Sequence, residues 1–386
     1  MRLQELLDSK PLYYTKFDPN RIVKAYDLIK DKINHPKAIQ LIGTNGKGST
    51  GRAVAHLASK SGLSVGHFSS PHILDFKERF WIDGKFASLN MLEVANKKLY
   101  NLLGEDMAQA LSYFEYQALL AFVLYENLDL QVIETGLGGE FDATSVKSYN
   151  LSIITPIGLD HADFLGNTIK EVASTKLNAM SPKALIAKQQ NQEVYTIAKD
   201  IANKKGAKLY FYKDLANLNV AKVQDFALKK AWPEYLVQNI TNATLALDIL
   251  DIKYNLSDLE SLELFGRFYK LKSNIILDVG HNMLAANAIS KAIDGKINLI
   301  FNILNDKNYT DVLKELKEKI EHLYIIKIET QRATLLNVLE KTLKELNIKY
   351  SYFDGNIQDN KNYLVFGSFY VVEAFLKEID IKDIKA

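Results

Sequence analysis

Ten residues, Leu41-Ile-Gly-Thr-Asn-Gly-Lys-Gly-Ser-Thr50, combine an apolar run, three glycines, a lysine and hydroxyls. The run 38–42 reads as a strand, and 50–60 is compatible with a helix. A strand, a glycine turn and a helix N-terminus offer backbone N–H groups and partial positive charge to a phosphate. Lys47 can reach the terminal phosphates of a nucleoside triphosphate, and Ser49 or Thr50 can touch a magnesium ion. The spelling departs from G-x-x-x-x-G-K-[ST], because Gly43 and Lys47 are four apart and Gly48 separates the lysine from Ser49. A glycine loop without a ligand is the alternative. The strand before, the helix after and the central lysine favour phosphate.

Further polar groups stand where apolar runs stop. In Phe68-Ser-Ser-Pro-His72, Ser70 precedes a proline that cannot continue the strand. Its hydroxyl then sits at a strand's carboxyl end, where open α/β sheets bind ligands, although a plain polar turn reads equally well. The run ending in Glu134 opens into glycines with Glu140 and Asp142. A carboxylate that closes a strand beside a phosphate loop suits magnesium, and the glycines let backbone approach a ligand. A solvated turn explains Gly138-Gly139, but explains less well an acid that directly ends an apolar strand. Asp160-His161 repeats the pattern. Magnesium prefers oxygen, so composition alone favours a structural His161 over a ligand. Lys176 lies in a helical pattern, where a lysine is normally on a solvated face and nothing in its spacing argues otherwise. Asp278, His281 and Asn282, then Asn305-Asp-Lys-Asn308, then Gly367-Ser368, again follow strand-like runs.

These groups need elements to hold them. Strands are expected at 38–42, 64–68, 130–134, 151–155, 184–187 and 208–211. Helices are expected at 89–103, 114–126, 168–180, 192–204 and 238–250. Such alternation predicts an α/β fold with a mainly parallel sheet. The pattern restarts near residue 270, with strands at 274–278, 297–302, 323–328, 350–353 and 363–366. A phosphate-loop domain (1–265) is thus followed by a smaller Rossmann-like α/β domain (270–386), with the boundary in 263–272 and a cleft between them for a large substrate.

Composition narrows the function classes. At 386 residues, 47% hydrophobic and 24% charged, the chain can build two cores. A net charge of +2 gives no basic field for nucleic acid, and the 20 Tyr and 18 Phe interleave with no basic stripe. Without cysteine there is no disulfide, zinc–thiolate site or thiol nucleophile. No secretory signal is visible and no apolar run reaches the ~20 residues of a membrane span, so the cytoplasm is the expected compartment.

Taken together the motifs resemble the folylpolyglutamate synthase/dihydrofolate synthase family, within the broader Mur-ligase group. The resemblance rests on GTNGKGST, SSPH, FKERFWIDG (76–84), YFEY (113–116), ETGLGGEFDAT, LDHADFLGNT, GRF (266–268), DVGHN, ILNDKN and VFGSFY, in the family's order. It implies an ATP-dependent ligase that phosphorylates a pteroate or folate carboxylate and joins it to L-glutamate. Its implied cofactor is magnesium, as two ions. Its implied partners are ATP, L-glutamate and dihydropteroate or a reduced folate, with no nucleic acid or membrane, and the implied state is a monomer. A cell-wall Mur ligase is the runner-up; that group usually carries an additional N-terminal domain, and the 37 residues before the first expected strand argue against it. The motifs imply that Gly43, Thr44, Asn45, Gly46, Lys47, Gly48, Ser49 and Thr50, with Asn242, Arg267 and Asp278, bind ATP. Ser70, Glu134, His161 and a carbamylated Lys176 are the implied metal ligands, which reverses the composition-based reading of His161. Tyr113, Phe114, Glu115, Tyr116, Phe141, Asp142 and Ala143 are the implied pterin-side pocket. His281 and Ser368 are implied at the glutamate site, with Lys47, Lys176 and His281 catalytic. The chain departs from the family in three places. Glu140 replaces the usual arginine, Met283 replaces a common proline, and the pterin loop sought in 10–21 matches poorly.

Overall fold

The computed structural model describes residues 1–10, 18–160, 162–215 and 217–381. Two sheets organise the chain. The first has eight strands: β1 (Lys37–Ile42), β2 (Val65–Phe68), β3 (Phe80–Ile82), β4 (Lys85–Phe86), β5 (Leu130–Glu134), β6 (Leu151–Ile154), β7 (Lys183–Ile186) and β8 (Lys208–Phe211). Their order is β4-β3-β2-β5-β1-β6-β7-β8. All neighbours run parallel except at the edge, where β3 pairs antiparallel with both β2 and β4. That hairpin escapes a reading by alternation because its strands are only three and two residues long.

The second sheet contains β9 (Tyr269–Lys272), β10 (Ile275–Asp278), β11 (Ile297–Phe301), β12 (Ile320–Ile325), β13 (Tyr350–Tyr352) and β14 (Tyr363–Phe366), in the order β13-β12-β11-β14-β10-β9. β9 lies inside the expected linker 263–272 but pairs antiparallel with β10, so its residues belong to the second sheet. The expected strand 323–328 forms three residues earlier, as β12.

The central strands β1 and β5 are buried along nearly their whole length, as parallel strands covered on both faces must be. The order in which strands are added reverses around β1, with β5 and β2 on one side and β6, β7 and β8 on the other. Ligands bind at the carboxyl edge of such a switch point. Register makes that edge level. Leu41 pairs with Glu134, Ile42 with Ile154, and Phe68 with Ile133, so the loops after β1, β2, β5 and β6 leave the sheet together. In the second sheet Asp278 pairs with Phe366 in the same way. Among the described residues no helix is long and apolar enough to cross a membrane.

Candidate active site

The loop after β1 turns through Gly43 and Gly46, at φ 156° and 85°. A side chain fits at neither. A Cβ on Gly43 would lie 2.0 Å from Thr155 Oγ1, and one on Gly46 2.7 Å from Asn239 Oδ1. Thr44 and Asn45 do not point their N–H groups at a ligand: both donate to the Pro156 carbonyl, at 2.9 and 3.2 Å. The free donors are those of the following helix, Lys47–Lys60, whose first turn has no intrahelical partner for its N–H groups. Lys47 folds back over the loop. Its Nζ donates to the Gly43 carbonyl at 3.1 Å and lies 3.9 Å from Glu134 Oε1.

Glu134 ends β5 beneath this lysine and is 5% exposed. Burial pushes its pKa up, against the charges of Lys47 and Arg267 and an N–H from Ser70. Ser49 accepts from Asn239 Nδ2 at 2.8 Å. Thr50, the alternative hydroxyl, is fully buried with no partner for Oγ1 and does not line the cavity. Ser49, Ser70 and Glu134 thus put hard oxygen donors on one wall, a set that suits magnesium. Among the described residues no three His, Asp or Glu converge on a metal position, and His161 lies outside them.

Lys176 overturns its solvated reading. It is 5% exposed, and its Nζ donates to the Gly43 carbonyl at 3.1 Å and the Gly138 carbonyl at 3.4 Å. The glycine run presses on its helix: a Cβ on Gly139 would lie 2.7 Å from Lys176 Cα. Burial, reinforced by the charge of Lys47, lowers the Lys176 pKa to about 7. Glu140 is exposed and accepts from Asn178 Nδ2 at 2.8 Å, just past the end of the same helix.

The second sheet contributes from its own carboxyl edge. Asp278 accepts from Tyr235 OH at 2.7 Å, Phe268 N at 2.9 Å and Gly280 N at 2.8 Å. Arg267 stacks on Phe369 at 5.0 Å. The two sheets are also joined through Asp160. Its carboxylate meets Lys307 Nζ at 2.6 Å, Asn282 Nδ2 at 3.1 Å and His281 Nε2 at 3.6 Å.

Between the two edges lies a cavity of about 880 Å³. Gly43 to Ser49, Ser70, Glu134, Lys176, Arg267, Asp278 and His281 all line it, as their motifs imply. Several expected residues do not. Asn242 is 1% exposed and faces the core; Asn239, one turn earlier on the helix Glu234–Ile249, lines the cavity instead. Ser368 caps the helix Phe369–Glu378 by accepting from Val371 N and is 3% exposed. Tyr116 is a core residue whose hydroxyl donates to Asn96. Glu115 pairs with Arg21 at 3.0 Å and closes its own helix's capping box. Asp142 is buried and shapes its loop, accepting from the N–H groups of Leu137 and Thr144, and Ala143 is buried beside it. On the pterin side only Tyr113, Phe114 and Phe141 keep exposed surface, Phe141 most of all at 54%. Most of the expected N-terminal loop (residues 11–17) lies outside the described residues. Sequence reasoning missed Asn239, Asp160 and Lys307 as site or joining groups. For the last two the signal was present, an acid and a lysine in strand-end motifs, but nothing local pairs them.

No family model matches the chain. It is 30% identical over 378 residues to a dihydrofolate synthase/folylpolyglutamate synthase of Buchnera aphidicola subsp. Schizaphis graminum, covering 88% of this chain and 87% of that one. It is 36% identical to the crystal structure of Helicobacter pylori folylpolyglutamate synthetase, with TM-score 0.78 and 98% of each chain covered. A bifunctional folylpolyglutamate synthase/dihydrofolate synthase with Mn, AMPPNP and L-glutamate bound shares the fold at TM-score 0.78 and 24% identity, over 95% of each chain.

Proposed function

The chain belongs to the dihydrofolate synthase/folylpolyglutamate synthase family, and from that membership we propose how its residues carry out the reaction. It is an ATP-dependent ligase that forms an amide with L-glutamate. The acceptors are dihydropteroate and reduced folates. The acceptor carboxylate takes the terminal phosphoryl group of ATP. The glutamate amine then attacks the acyl carbon, the C–O bond to phosphate breaks with its electron pair, and the amine proton passes to solvent. One observation supports this reading most. Lys47, Ser49, Ser70, Glu134, Lys176, Arg267 and His281 meet on one cavity between two sheet edges, at a volume typical of ligand sites.

Lys47 exchanges the Gly43 carbonyl for the terminal phosphates, whose charge the helix N-terminus also meets. Ser49, Ser70 and Glu134 would hold a magnesium ion, and a carbamylated Lys176, with the His161 that the motif implies, would help to hold a second. When bound, the metal neutralises charge on the transferring phosphoryl group. Lys176 suits carbamylation because burial leaves much of its amine neutral near pH 7. Arg267, held over the Phe369 ring, presents its guanidinium to the phosphates without losing much side-chain freedom. Asp278 reaches the nucleotide by exchanging its bond from Tyr235. His281, oriented by Nδ1 on the Val279 carbonyl and facing Asp160, positions glutamate. Tyr113, Phe114 and Phe141 offer faces to the pterin. Residues 1–265 act as the ATP-binding domain, 270–386 as the glutamate-ligase domain, and the enzyme works as a monomer.

The test is ADP release with magnesium-ATP and L-glutamate, comparing dihydropteroate with tetrahydrofolate. Turnover with both is expected. Turnover with one acceptor narrows the activity to one of the family's two, and silence with both refutes the acceptor assignment. Lys47→Ala is expected to stay folded and lose turnover; wild-type rates in that variant refute the phosphate assignment.

A further inference from the structure

A second, smaller cavity of about 90 Å³ opens from the phosphate end of the large one and shares Gly48, Ser49, Ser70, Glu134 and Arg267 with it. From there it reaches Arg52, one turn beyond Gly48 on the same helix face, and His67 on β2. Its walls hold polar atoms without partners. His67 is 1% exposed and neither ring nitrogen is hydrogen-bonded. Arg52 lies over Trp81 at 4.9 Å, and its buried Nη1 has no acceptor. A buried polar atom without a partner forfeits the hydrogen bond it had in water, so these atoms call for a polar occupant.

The acidic groups on the same walls already have partners. Glu78 accepts N–H bonds from Ile73, Leu74 and Asp75 at 2.7, 2.7 and 2.6 Å. Glu134 faces Lys47 at 3.9 Å, and Glu263 faces Lys230 at 3.9 Å. What stays unmet includes two donors, the Arg52 Nη1 and the one N–H of a neutral His67 ring, and the guanidinium of Arg267 stands at the mouth beside them. Guanidinium groups match tetrahedral oxyanions in charge and geometry.

We propose that this cavity binds orthophosphate, the product expelled as the amide forms, and receives it while ADP still fills the large cavity. The proposal rests on the ligase reading. It gives the phosphate a place of its own, on the Arg52 side, while the large cavity still holds the nucleotide.

The experiment titrates inorganic phosphate into the full-length protein saturated with magnesium-ADP, read by calorimetry and by 31P line broadening. One phosphate per chain is expected to bind. Arg52→Gln is expected to weaken it about tenfold or more, and Arg52→Lys less, because charge is kept while the fork is lost. Ser69→Val, on the same wall and away from the Arg52–Trp81 stack, is expected to weaken phosphate too, and keeps the test open if Arg52→Gln does not fold. Magnesium-ADP affinity should stay unchanged in all three. Unaltered phosphate binding in Arg52→Gln and Ser69→Val, or no phosphate binding beside ADP at tens of millimolar, overturns the proposal alone. Failure of magnesium-ADP itself to bind overturns the nucleotide reading and the proposal together.

Discussion

Replacing Lys176 by methionine is expected to stabilise the protein at neutral pH while removing its activity. The amine is buried, and its pKa falls from 10.5 to about 7. At about 1.36 kcal/mol per pH unit, that drop corresponds to about 5 kcal/mol of unfavourable burial of the charged form. Methionine fills a similar volume. It forfeits two hydrogen bonds, to the carbonyls of Gly43 and Gly138, of about 1 kcal/mol each. The net expectation is a gain of about 3 kcal/mol. The sign with pH follows from the direction of the shift. Below about pH 7 both folded and unfolded chains hold the proton, and the full cost is present. Between about 7 and 10.5 the unfolded chain still binds a proton that the folded one has released, so wild-type stability rises with pH. The advantage of Lys176→Met is therefore greatest near pH 6.5 and fades toward 10.5. Urea midpoints followed by tryptophan fluorescence, in carbonate-free buffers across that range, measure it. A variant no more stable than wild type at pH 6.5, with the same pH slope, refutes the reasoning and means that the ammonium is compensated in place. In wild type, added 13C-bicarbonate near pH 8 is expected to give a carbamate signal that the variant lacks.

Three further outcomes are expected. Asn239→Ala should raise KM for ATP about tenfold by freeing Ser49, whereas Asn242→Leu should leave kinetics unchanged and cost little stability, because its buried Oδ1 has no partner to lose. The reverse pattern in steady-state kinetics would restore Asn242 to the site. Lys307→Ala should destabilise the joint between the sheets by about 3–5 kcal/mol, the usual loss when one partner of a buried pair is removed; in a double-mutant cycle Asp160→Asn should recover part of it. Additive losses would show that the pair is not coupled. Ser368→Ala should cost about 1 kcal/mol through its helix cap and leave KM for glutamate unchanged, so a large rise in that KM would return Ser368 to the glutamate site.

Much of the fold was legible because its signals are local. The helix Leu89–Leu103 and the strands β1, β5 and β6 fall within a residue of their expected places, since apolar runs bounded by glycine, proline and polar turns leave little choice. The hairpin β3–β4 was not legible, because two- and three-residue strands have no period to read. The helix at Glu234–Ile249 was expected four residues late, and which of its asparagines faces the cavity is set by packing that no local spacing shows.

The sequence by itself determined that a glycine loop with Lys47 follows a strand, that acids and hydroxyls close neighbouring strands, and which family spells its motifs this way. Those facts depend on residue type and short spacing. Only the tertiary structure decided which way side chains face. It buried Lys176 against the Gly139 turn, gave Asn239 rather than Asn242 to the cavity, turned Ser368 into a cap and joined Asp160 to Lys307 across 147 positions. Facing and distant pairing are set by how helices pack on the sheets, and packing is a property of the whole chain.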